Sequence, residues 1–119
     1  MFIAPSAAAI PLGKANLVVG PLVHKGKFYV GKYQLKIEPY FFKSEKGTLK
    51  LEASDDDVRK LTSGIAVPFK GKAINNADGK PKMIIGTVTP SATDRGNVSF
   101  SVTTDNGPVV FNTSYHLGS

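Results

Sequence analysis

The amino-acid sequence predicts an all-β domain, a small antiparallel barrel or sandwich of about six to seven strands with one short helix. Three observations lead there. Apolar and polar residues alternate with a period of two along several stretches, the period of a half-buried strand. Turn signals recur roughly every 8–14 residues, the spacing of hairpin-connected strands. Gly (12) and Pro (8) are too frequent in 119 residues for a helical bundle. With 41% hydrophobic and 20% charged residues the chain can bury a core, and its length suits one domain. The absence of cysteine excludes a disulfide scaffold, thiolate metal ligands and a cysteine nucleophile.

Residues 1–14 read as a flexible N-terminal arm, and 15–119 as the β-rich domain. The run Met1-Phe2-Ile3-Ala4-Pro5-Ser6-Ala7-Ala8-Ala9 ends in small residues and so resembles the end of an export signal. It lacks the basic start and the apolar stretch of ~7–15 residues that such a signal needs. Residues 16–19 form a short edge strand stopped by Gly20-Pro21. The pattern is clear from Lys27 onward. Tyr33, Leu35 and Ile37 alternate with Lys32, Gln34, Lys36 and Glu38, while Phe28 and Val30 lie in the other parity. Gly31 falls at the change of phase, where a bulge or bend is expected. Pro39 interrupts before Tyr40-Phe41-Phe42, and residues 43–47 read as a turn. Leu49, Leu51 and Ala53 then alternate with Lys50 and Glu52.

The period changes at Ser54. Ser54 or Asp55 can cap a helix over about residues 55–63, Asp55, Asp56 and Asp57 suit its positive end, and Arg59 and Lys60 its negative end. Gly64 can close it, and Val58 and Leu61 would form its buried stripe. Strands return with Ile65, Val67, Phe69, Gly71 and Ala73 on one face. Asp78-Gly79 marks a hairpin. Ile84, Gly86 and Val88 follow, then a loop over 90–97, then Val98, Phe100 and Val102. Asp105-Asn106-Gly107-Pro108 turns the chain into a last strand with Val109, Phe111, Thr113 and Tyr115 on one face. The expected core is Tyr33, Leu35, Ile37, Leu49, Leu51, Ile65, Val67, Phe69, Ile84, Val88, Val98, Phe100, Val102, Val109, Phe111 and Tyr115.

The chain carries a net charge of +6. Its first two thirds hold the positive charge, interrupted by Glu52, Asp55, Asp56 and Asp57. Only Arg59 and Arg95 are arginine, whereas bidentate reading of phosphates and bases favours arginine over lysine. No catalytic constellation emerges. His24 and His116 sit near element ends, Ser114 shares a strand face with His116, and no Gly-x-Ser-x-Gly elbow is present. Glu38, Glu45 and Glu52 alternate with lysines and read as cross-strand ion pairs. The aspartate run reads as helix capping rather than a metal site, and no cofactor is implied.

The remaining chemistry is binding. Lys32, Lys36, Lys50, Lys70 and Lys72 point outward on strands that can be neighbours, with Tyr40 at their edge. The expectation is therefore a non-enzymatic binding or assembly module for a protein partner or an anionic polymer or glycan surface. Val-rich strand edges offer a homodimer contact as well. The alternative is an OB-like single-stranded nucleic-acid-binding domain, which also combines a basic sheet face with aromatics. A second alternative is an enzyme of unrecognised type with His24 or His116 in a deep pocket.

Overall fold

A computed structural model of the chain describes residues 1–11, 13–39, 44–105 and 107–118. The strands are β1 (Phe2–Ile3), β2 (Ser6–Ile10), β3 (Gly13–Val19), β4 (Val23–Lys25), β5 (Phe28–Glu38), β6 (Glu45–Glu52), β7 (Val67–Asn75), β8 (Pro81–Ala92), β9 (Arg95–Thr104) and β10 (Gly107–His116), with helix α1 (Asp55–Thr62) between β6 and β7. All pair antiparallel in one curled sheet of order β1-β10-β9-β8-β7-β6-β5-β3-β2, with β4 added beside β5. The all-β class with one short helix holds, as a half-barrel of ten strands among the described residues rather than six or seven.

Most of the extra strands come from the N-terminus. The segment expected as a free arm is paired at both edges of the sheet. Phe2 and Ile3 pair with His116 and Tyr115 of β10, and Ser6–Ile10 pairs with Leu17–Gly13 of β3. Between them the Ala4 N–H donates to Ser114 O (3.0 Å), and the Thr113 hydroxyl donates to Ala4 O (3.0 Å). One stretch of ten residues thus passes from one sheet edge to the other and brings β2 alongside β10. Ile3 and Ala8 are buried as a result.

The inward face follows the period of two. Tyr33, Leu49, Leu51, Val67, Ile84, Val88, Val98, Phe100, Val102, Phe111 and Tyr115 are buried as expected, and Leu35, Ile37, Phe69 and Val109 pack partly against them. Ile65 is 52% exposed, because β7 begins two residues later at Val67. Ala15, Leu17, Leu22, Tyr29, Ala53, Leu61 and Ala73 are buried as well. The interior is filled by side chains: its central gap, between Leu49, Ile84 and Phe100, measures only about 10 Å³.

Two local expectations change. No bulge occurs at Gly31, since the β5–β6 register runs unbroken from Phe28↔Glu52 to Leu35↔Glu45. Tyr29, Gly31 and Tyr33 share the inward face, and a Cβ at Gly31 would lie 2.6 Å from Pro21 O and 2.7 Å from a Leu22 methyl. The glycine lets the β3–β4 connection lie against the strand. The bulge lies instead at Pro90/Ala92, inside what reads as a loop, and only Thr93 and Asp94 separate β8 from β9.

Inward glycines face aromatics across the strands. Tyr33 pairs with Gly47, Phe69 and Phe100 both pair with Gly86, and Tyr115 pairs with Gly96. The rings of Tyr33, Phe69 and Tyr115 lie over the space that a side chain would take, a device that lets a sheet bend sharply while staying packed. Helix α1 covers one end of the curl through Leu61 and Val58. Its capping box is complete: the Asp57 N–H donates to Ser54 Oγ (3.1 Å), and the Ser54 N–H to Asp57 Oδ2 (3.0 Å). Among the described residues no helix is long and apolar enough to cross a membrane.

Candidate functional site

Strand registers decide which lysines meet. Even-numbered residues of β5, β6 and β7 point outward, because their odd-numbered neighbours fill the core. Lys50 of β6 is directly opposite Lys72 of β7. Lys70 follows Lys72 on the same face, two residues away. Lys32 of β5 is opposite Thr48 and so diagonal to Lys50. The expected members Lys32, Lys50, Lys70 and Lys72 are therefore contiguous, at cross-strand spacings of about 5 Å and diagonals of about 7–8 Å. Lys36 would stand apart but for Lys46. Lys46 pairs with Gln34 and is diagonal to both Lys32 and Lys36. It belongs to β6 rather than to a turn, which is why the sequence pattern left it out. Tyr40 lies outside the described residues.

All six lysines are exposed. Among the described residues none has a carboxylate within 4.0 Å. The nearest acids along the face are Glu52, two residues beyond Lys50 and opposite Phe28, and Glu38, two residues beyond Lys36 and opposite Lys14. The Lys50 ammonium instead sits 4.3 Å above the centre of the Phe28 ring, a modest cation–π attraction at an exposed site. Like charges directly opposed across a ladder repel, so Lys50 and Lys72 form a locally unfavourable pair that an anion would relieve.

The outward face continues beyond β7 with other chemistry. Lys72 and Lys70 are opposite Met83 and Ile85 of β8, and the second row continues through Ser101 to Val110. Farther along, two rows are uncharged and polar: Thr87, Ser99 and Asn112, then Thr89, Asn97 and Ser114.

The other candidates take part in packing. His24 Nε2 donates to Ala53 O (2.7 Å), with its ring 4.9 Å from that of Tyr29. His116 stacks on Phe2 at 4.8 Å and neighbours Arg95 across the ladder. Asp56 pairs with Arg59 and Lys60, and hydrogen bonds from those side chains hold its carboxyl below the usual range. The recess near the helix, about 30 Å³ between Tyr29, Leu61 and Phe69, is lined mainly by apolar side chains.

Glu45 forms an ion pair, as its alternation with lysines predicts, but inside the sheet rather than on an exposed face or in a turn. It points inward with a side chain only 7% exposed, accepts a hydrogen bond from Tyr33 OH (2.5 Å) and pairs with Lys82 Nζ (2.5 Å). Burial, reinforced by the Glu45 carboxylate, pushes the Tyr33 phenol above its ordinary value. The triad lies where β5, β6 and β8 come together and acts as a clasp. No family model, no curated protein and no solved structure matches this chain.

Proposed function

We propose that this protein is a non-enzymatic binding module whose outer β5–β7 face takes an anionic partner. One observation carries the reading: Lys50 and Lys72 face each other directly, extended by Lys70, Lys32, Lys46 and Lys36, with no carboxylate partner for any of them among the described residues. A folded domain that keeps six cations on neighbouring positions of one face gains most when a polyanion displaces their counterions. Lysine, a hydrated point charge, suits distributed attraction to a surface better than bidentate recognition of single groups.

Titration with a fluorescent heparin oligosaccharide over a range of NaCl concentrations tests this. Affinity should fall steeply with salt, and Lys70→Ala with Lys72→Ala should weaken it several-fold for each lysine removed. Unchanged affinity in that double variant rejects the face. Single-stranded nucleic acid would use the same lysines. It would also need bare aromatic faces for base stacking, and the aromatic on the described part of this face, Phe28, lies under Lys50.

A further inference from the structure

The outward face does not stop at the lysines. Met83, Ile85 and Val110 are 45%, 67% and 54% exposed. The registers put Met83 beside Lys72, Ile85 beside Lys70, and Val110 one strand beyond Ser101 in the Ile85 row. Single exposed aliphatics need no explanation, but Met83 and Ile85 side by side against two lysines, with Val110 farther along the Ile85 row, mark an interaction surface. The partner should therefore carry negative charge and apolar material together, which sulfated sugars do not. A second copy of this chain, with the same net charge of +6, would not supply the negative charge that Lys70 and Lys72 call for beside Ile85 and Met83. A partner helix would need a groove. This face is the convex side of a curled sheet, and the recesses beside α1 and in the interior are lined chiefly by core residues. A fluid interface adapts to a convex surface without a preformed groove.

We infer that this face seats on an anionic lipid bilayer, with Lys50, Lys70 and Lys72 among the head groups and Met83, Ile85 and Val110 entering the boundary with the acyl chains. The inference rests on the reading of the lysine face as an anion-binding surface, and it names the partner of that face.

Co-sedimentation of the full chain with vesicles separates the two. The vesicles are phosphatidylcholine alone or with about 30 mol% phosphatidylserine, and heparin titration runs in parallel. Binding is expected to the phosphatidylserine vesicles and not to the neutral ones. Lys50→Ala with Lys72→Ala should lower partitioning by about 20–30-fold, from roughly fivefold per lysine near an anionic surface. Ile85→Ser with Val110→Ser removes only exposed side chains and leaves the charge unchanged. It should lower vesicle partitioning about fivefold or more with heparin affinity unaltered. Heparin binding without vesicle binding overturns the bilayer inference alone, as does vesicle binding insensitive to the two serines. Binding to an acidic amphipathic peptide but not to vesicles would assign the face to a protein partner and overturn it too. Failure with both heparin and vesicles overturns the underlying reading as well.

Discussion

Glu45 holds Tyr33 of β5 and Lys82 of β8 from its place on β6. Removing its carboxylate leaves a phenol and an ammonium without their shared acceptor in a mostly buried position. Lys82 keeps a side chain 28% exposed and can turn to water, so the cost falls below that of breaking a fully buried pair. Glu45→Ala should lose about 1–3 kcal/mol in urea unfolding. The same clasp sets a response to alkali. Tyr33 holds its proton in the folded chain above its ordinary pKa, chiefly because it is buried. In the unfolded chain it ionises near pH 10. Above that pH the unfolded state binds fewer protons, so the Tyr33 contribution is complete below about pH 10 and fades as pH rises. Urea midpoints between pH 8 and 11 should decline less steeply in Tyr33→Phe. A residual slope should persist, because Tyr29 and Tyr115 are raised by burial too.

At the scale of elements, the strands with strong polar–apolar contrast are the legible ones. The alternation of Val98, Phe100 and Val102 with Ser99, Ser101 and Thr103 identifies both β9 and its inward face. β2 could not be read this way. Ala7, Ala8 and Ala9 are identical, so nothing in the chain marks Ala8 as the buried one; its place is fixed only by pairing with β3. Gly31 misled because Phe28 and Val30 are apolar on an outward face, where Phe28 receives Lys50. Pro90 suggested a loop, yet a bulge accommodates it inside β8. The helix was legible to within a residue, since its start and stop signals are local. Ser54→Ala should cost about 1 kcal/mol through loss of the cap. Gly86→Ala should cost more, about 1–3 kcal/mol, since the new methyl would sit 2.5 Å from Ser99 O and 2.7 Å from the Phe69 ring. Thermal melting of the two variants gives the comparison.

At the scale of the whole molecule, the N-terminal segment makes the curl. It binds both edges of the sheet, and the Met1 amino group adds a hydrogen bond to Leu22 O (2.9 Å). Ile3→Ala should therefore destabilise the whole sheet, by about 2–4 kcal/mol in urea unfolding, rather than free a local arm. The lysine face is also a property of the whole. Its members come from three strands spread over residues 32–72, and the sequence showed their outward parity but not their order. Lys46 joins the face because β6 begins at Glu45. The most direct test is to record backbone amide chemical shifts while adding a heparin oligosaccharide. The largest changes should fall on Lys32, Lys46, Lys50, Lys70, Lys72 and their neighbours on β5–β7. Changes concentrated on α1, or on the Thr87–Ser99–Asn112 row, would contradict the assignment of binding to the lysine face.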